Sequence, residues 1–91
     1  MATANERAFR ITVIVTPSFN LAPTIGFLDP FRAANYLEGR DLYQWTLASI
    51  EGGKIIASNG LAVLTAALQD VHETHPELLM VSTSWTPEVY G

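Results

Sequence analysis

The chain has 91 residues, enough for one small domain at most. It is 48% hydrophobic and 15% charged with a mean hydropathy of +0.20, which excludes a disordered chain and is unusually apolar for so short a free-standing surface. A net charge of −4, with cations scattered at Arg7, Arg10, Arg32, Arg40 and Lys54, excludes a basic stripe that could track phosphates.

The absence of cysteine rules out disulfides, thiolate metal sites and a Cys nucleophile in these residues, and fits a reducing compartment. The apolar run "ITVIV" is too short for a signal sequence or a membrane span, so a cytoplasmic chain without membrane contact is expected.

"MATANER" reads as a polar, frayed start. "AFRITVIVTP" is rich in β-branched residues and stops at Pro17, as a strand buried on both faces of a parallel sheet does. After the turn-rich "SFNLAP", Ile25, Leu28, Phe31, Ala34 and Leu37 recur at i, i+3 spacing and predict an amphipathic helix that Gly39 ends. "QWTLASI" reads as a second strand, and strand–helix–strand at this length is a βαβ unit with parallel strands.

"EGG" and "SNG" are turns around "KIIA" and "LAVL". The Asn59-Gly60 pair predicts a hairpin in which both residues take positive φ. A helix starting here is the rival reading, from the spacing of Leu61, Leu64, Leu68 and Val71. The preferred reading keeps a strand to Leu64, with Thr65 capping a short helix over "AALQDV". "PELLMVSTS" holds a further strand, Leu78 to Val81 at least. In "WTPEVYG", Thr86 and Pro87 suit the start of another helix. One long helix leaves such a sheet half covered, so the sequence reads as part of a larger α/β domain. Ile11, Val13, Val15, Leu79 and Val81 are expected in central strands.

Three groups of residues together resemble a known family: Pro17 and Phe19; Asp29, Pro30, Arg32, Ala34 and Asn35; and Ala57, Ser58, Asn59, Gly60 and Leu61. Their order and spacing, over nearly the whole chain from Phe9, are similar to the beginning of the class I glutamine amidotransferase-like domain of the ThiJ/PfpI superfamily. More narrowly, they resemble its version at the N-terminus of AraC-family transcription regulators. The resemblance implies a flavodoxin-like three-layer α/β/α sandwich with a mostly parallel sheet, of which residues 1–91 are about the first half. The remainder and a helix-turn-helix region would lie beyond residue 91, so DNA would be reached only through that absent region. The family's nucleophile elbow would also lie there. Where the family often has a Gly pair after the strand matching "LLMVS", this chain has Thr83 and Ser84.

Asp29 carries two readings. In enzymatic members the resemblance implies an acidic residue in the first helix that tunes a catalytic Cys, and Asp29 occupies that place. The structural reading is a carboxylate capping the turn at Pro30, whose missing N–H bends the helix. With no Cys to act on, the structural role leads. The resemblance favours one helix from about Ala22 to Glu38, kinked at Pro30.

His72 and His75, with Glu73 and Glu77 nearby, have a metal-compatible spacing, yet Pro76 ends any helix there and a solvated loop is expected instead of a metal site. Ser18, Ser82 and Ser84 lack triad spacing. Ser84, Trp85 and Tyr90 follow the C-terminal end of a strand, where open α/β sheets bind ligands; for the aromatic pair, packing against the rest of the domain is the alternative.

The expected function is a non-catalytic ligand-sensing and oligomerisation region of an AraC-family regulator, with Asp29, Ser84 and Trp85 as candidate ligand contacts and no cofactor. A small-molecule effector, further copies of the chain or the remainder of the domain are the expected partners. A fragment of a ThiJ/PfpI-type Cys hydrolase and a small α/β interaction protein are the alternatives.

Overall fold

The computed structural model describes residues 8–71 and 75–83. The elements in chain order are β1 (Phe9–Val15), α1 (Leu21–Glu38), β2 (Tyr43–Ser49), β3 (Gly53–Ile56), β4 (Ala62–Ala67), α2 (Leu68–Val71) and β5 (Leu78–Ser82). They form a five-stranded sheet in the order β3-β4-β2-β1-β5. β1 runs parallel to both β2 and β5, β2 runs parallel to β4, and only β3 and β4 pair antiparallel. The fold is therefore α/β with a mostly parallel sheet, as the βαβ pattern requires.

β1 lies beside two parallel partners and is the most deeply buried element. Ile11, Val13 and Val15 turn one face toward α1, where Phe19 and Leu28 are also buried and Phe27, Phe31, Trp45, Leu47 and Met80 close the cluster. Alternation along the strand sends Thr12 to the opposite face. There it meets Leu68, Val71, Pro76 and Leu79, so the short α2 lies on that side.

Four sequence expectations change. The buried side of α1 carries Leu21, Thr24, Phe27, Leu28 and Phe31, whereas Ile25 and Leu37 face solvent. A strict i, i+3 series drifts by about 60° per step around a helix of 3.6 residues per turn, so its two ends cannot share one face. Thr65 is not a cap. It lies within β4, where its Oγ1 donates to the Gly53 carbonyl at 2.7 Å and meets Ser49 Oγ at 2.6 Å. The hairpin forms, but only Gly60 has positive φ. The Gly60 N–H donates to the Ala57 carbonyl and the Ala57 N–H to the Leu61 carbonyl, giving a three-residue loop that ends in a left-handed glycine. Lastly, among the described strands β5 stands at one end of the sheet, and its Leu79 and Val81 are each 56% exposed, on the face that only α2 begins to cover.

α1 runs unbroken through two prolines. Pro23 sits in the first turn, where its N–H would have no helical partner. Pro30 removes the bond to the Gly26 carbonyl, and the helix continues without it. Gly39 stops the helix in the left-handed conformation, with its N–H on the Asn35 and Tyr36 carbonyls. The helix start foreseen at Thr86 and Pro87, and the frayed "MATANER", lie outside the described residues.

Two outcomes follow for stability. A Cβ at Gly52, where φ is +80°, would stand 2.8 Å from the Ala67 backbone nitrogen, whereas Gly53, at φ +82°, has open space. Gly52→Ala is expected to destabilise well beyond the roughly 1–2 kcal/mol of left-handed strain that Gly53→Ala incurs, and urea melts of the two variants compare them directly. Pro30 is exposed, so Pro30→Ala forfeits little packing and restores a helix bond. A gain of roughly 1–3 kcal/mol is expected, and a lowered melting temperature would instead show that the packing requires the proline itself.

Candidate functional site

In an open parallel sheet, ligands bind beyond the C-terminal ends of the strands, at the point where the chain reverses its direction of travel across the sheet. Here the chain moves from β1 to β2 and on to β4, then crosses back over β1 to β5. The reversal therefore lies between β1 and β5, where the Thr16 N–H donates to the Ser82 carbonyl at 3.2 Å.

The loop from β1 to α1 begins with a turn closed by the Phe19 N–H on the Thr16 carbonyl at 3.1 Å. Pro17 occupies its second position and Ser18, at φ 65°, its third, which is the pattern of a type II turn. A serine held left-handed there is strained by about 1 kcal/mol or more. Neighbouring contacts hold it in place. The Ser18 N–H donates to the Ile56 carbonyl at 2.8 Å and the Ser58 N–H to the Phe19 carbonyl at 2.9 Å, so the β3–β4 hairpin pairs with the loop like a short strand. The fully buried Phe19 ring anchors the same loop in the core. Two of the recurring residue groups, Pro17 with Phe19 and Ala57 to Leu61, thus meet in space.

The start of α1 is tied to β5 by a buried hydroxyl pair. Thr24 Oγ1 donates to the Asn20 carbonyl at 2.7 Å and lies 2.6 Å from Ser82 Oγ. Since the Thr24 proton is committed to Asn20, Ser82 is the donor between them, and its hydroxyl has only acceptor capacity left. Beside this reversal point a cleft of about 320 Å³ opens at the ends of β1 and β2, bounded by Val15, Thr16, Pro17, Ser49, Ile50, Glu51, Gly52 and Ile55. Ser49 Oγ accepts the Gly52 N–H at 3.0 Å and so shapes the cleft rim.

Of the residues singled out from the sequence, Asp29 does not line this cleft. It is exposed on α1, where its carboxylate accepts from Arg32 Nε at 2.8 Å. That hydrogen bond and the guanidinium charge hold the carboxyl below the usual carboxylate range. The proposed cap at Pro30 is therefore replaced by an ion pair one turn along. Asn35 has a structural task instead: its side-chain amide donates to the Tyr43 carbonyl and accepts the Tyr43 N–H, both at 2.9 Å, which fixes the end of α1 to the start of β2.

Ser84, Trp85 and Tyr90 lie outside the described residues, as do His72 and Glu73. His75 is exposed, and Glu77 Oε1 accepts the Arg10 N–H at 3.2 Å. Among the described residues no group of three or more His, Asp or Glu is placed to hold a metal. The sequence reading missed Thr16, Ser49, Glu51 and Gly52. The available signal was "EGG" directly after a strand, at the sheet edge where ligands enter.

The chain is 33% identical over 66 residues to the HTH-type transcriptional regulator GbdR of Pseudomonas aeruginosa, covering 72% of this chain and 18% of that protein. It is 37% identical over 65 residues to the regulator GlxA of Rhizobium meliloti, covering 71% and 20%, and 36% identical over 50 residues to CdhR of Pseudomonas aeruginosa, covering 55% and 15%. Its relatives are HTH-type transcriptional regulators. The chain spans about a fifth of the length of these proteins or less. The crystal structure of an AraC family transcriptional regulator from Pseudomonas putida superposes with a TM-score of 0.76 at 24% identity, over 89% of this chain and 46% of that one, and supports the fold. No family model matches the chain.

The Thr24–Ser82 pair is open to a double-mutant cycle. Thr24→Val is expected to cost about 1–2 kcal/mol because it strands the buried Ser82 hydroxyl, Ser82→Ala less because Thr24 keeps its bond to the Asn20 carbonyl, and the double variant less than their sum. Strictly additive losses in urea denaturation would show that the two hydroxyls do not support one another.

Proposed function

We propose that this chain is a non-catalytic, effector-sensing and oligomerising region of an AraC-family transcription regulator, built on the first half of a ThiJ/PfpI-type domain. The observation that carries the reading is the match to HTH-type regulators at 33–37% identity over 65 and 66 residues, together with an α/β sheet whose strand ends open into a cleft. Apolar walls with a few convergent polar groups, here Thr16, Ser49 and Glu51, suit a small molecule.

The engagement of Asp29 with Arg32 on an exposed helix face, and a sequence without cysteine, support a region with no hydrolytic chemistry of its own. No helix among the described residues is long and apolar enough to cross a membrane. A regulator that reaches DNA through a separate helix-turn-helix works in the cytoplasm. Assembly belongs to the reading because Leu64, Leu79 and Val81 stay exposed on the second sheet face, which further copies or the rest of the domain would cover.

Purified chain is expected to turn over no peptide, amide or methylglyoxal-type substrate, and to give a thermal shift with an effector from a panel of small polar metabolites. That shift should be lost in Thr16→Val or Glu51→Gln and kept in Asp29→Ala. Turnover that Asp29→Ala abolishes would overturn the non-catalytic reading; thermal shifts insensitive to both cleft substitutions would overturn sensing at this cleft.

A further inference from the structure

Asn59 is one of four asparagines in the chain and the one that a glycine follows; Asn5, Asn20 and Asn35 precede Glu6, Leu21 and Tyr36. The backbone nitrogen after an asparagine can attack that residue's side-chain amide, and a following side chain crowds the approach. Gly60 has no side chain, and a Cβ built there would meet nothing within 4 Å. Asn59 and Gly60 are both exposed, so water reaches them. Local chemistry therefore favours loss of the amide at this position above the others.

In that step the Gly60 nitrogen forms a bond to Asn59 Cγ, and the bond from Cγ to Nδ2 breaks. Ammonia leaves, carrying the proton that the Gly60 nitrogen gives up through solvent. The cyclic imide left behind takes up a water, and opening at either carbonyl gives aspartate or isoaspartate.

The hairpin opposes the first bond change. The Gly60 N–H, whose proton must leave, is held on the Ala57 carbonyl at 2.9 Å. Asn59 Oδ1 accepts the Leu61 N–H at 3.1 Å, which fixes the rotation of the side chain. The imide has no Gly60 N–H, so it forms only with the bond to Ala57 broken. The same tip is tied to the loop after β1. Ser18 N–H donates to the Ile56 carbonyl, Ser58 N–H to the Phe19 carbonyl and Ser58 Oγ to Asn20 Oδ1 at 3.3 Å. Opening the tip strains those contacts as well.

We propose that Asn59 is a spontaneous modification site gated by the hairpin: its amide persists while the β3–β4 tip is bonded to the β1–α1 loop and is lost through the open form. The two products differ in consequence. Aspartate keeps an oxygen for the Leu61 N–H. Isoaspartate routes the main chain through the former side chain and lengthens the three-residue loop, so the Gly60 and Ala57 N–H groups cannot both keep their carbonyls. The neighbouring Ser58 and Ser18 contacts, which hold Thr16 and Pro17 at the cleft mouth, then loosen. The modification thus acts on the cleft from outside it.

Trypsin can cut after Lys54 and at no later residue, which leaves a peptide whose one asparagine is Asn59. The full chain is held in mildly alkaline buffer, folded or in urea, and the exchange of amide for hydroxyl is followed in that peptide by mass. Conversion in the folded chain is expected to be about tenfold slower than in urea, or slower still. Thr65→Val removes the hydroxyl bonds to the Gly53 carbonyl and Ser49 and is expected to speed conversion. Ser18→Gly relieves the left-handed strain and is expected to slow it, and it decides alone if Thr65→Val does not fold. In isoaspartate chains separated by chromatography, the Ser18 and Ser58 N–H groups are expected to exchange with solvent faster than in the original, whereas Asn59→Asp keeps them protected. Equal rates in the folded chain and in urea would overturn the gating, as would rates that neither variant moves. Unchanged exchange at Ser18 and Ser58 in the isoaspartate chains would overturn the link to the cleft.

Discussion

A strand with parallel neighbours on both sides must be dry on both of its faces, and β1 sets that condition for everything around it. Its apolar side, Ile11, Val13 and Val15, is met by α1. Its other side is covered only in part, by the short α2 against Thr12. The exposed Leu64, Leu79 and Val81 follow from that shortfall. They are residues fit for an interior and placed on a face that the described residues cover only in part.

Two polar clamps position α1 over the sheet, one at each end. At its start the Thr24 and Ser82 hydroxyls join helix to β5, and at its end the Asn35 amide pairs with the Tyr43 backbone as another strand would. Between them the rings of Phe27, Phe31 and Tyr43 pack edge to face and tilted in sequence, with centroids 5.4 and 4.9 Å apart. Every clamp is internally satisfied, and no buried side-chain polar atom among the described residues lacks a partner. The helix is therefore held by geometry at its ends and by apolar area in the middle, which frees its opposite flank to carry surface chemistry.

The loop after β1 shows how the site inherits its shape from the fold. A left-handed Ser18 persists because the β3–β4 hairpin bonds to both sides of it and Phe19 is buried beneath. That arrangement sets Thr16 and Pro17 at the cleft mouth, facing the Ser49–Gly52 rim. Residues that look like separate motifs along the chain are one structural unit in space.

By itself the sequence determined the element types and their order: β-branched runs that must be strands, an amphipathic stretch that must be a helix, a glycine that ends it and an Asn-Gly hairpin. These are local consequences of backbone sterics and side-chain period, and they survive any packing arrangement. It also carried the resemblance to AraC-family regulators, in the order and spacing of Pro17, Phe19, Asn35 and Ser58. What only the tertiary structure decided is which face each element presents. Ile25 and Leu37 looked like core and turned outward, Thr24 looked polar and is buried, Thr65 looked like a cap and became a strand residue, and Leu79 and Val81 looked central and lie at one end of the described sheet. The physical reason is that a side chain's fate depends on which surface it meets, and the crossing of the chain back over β1 to β5 is not written in any local run of residues.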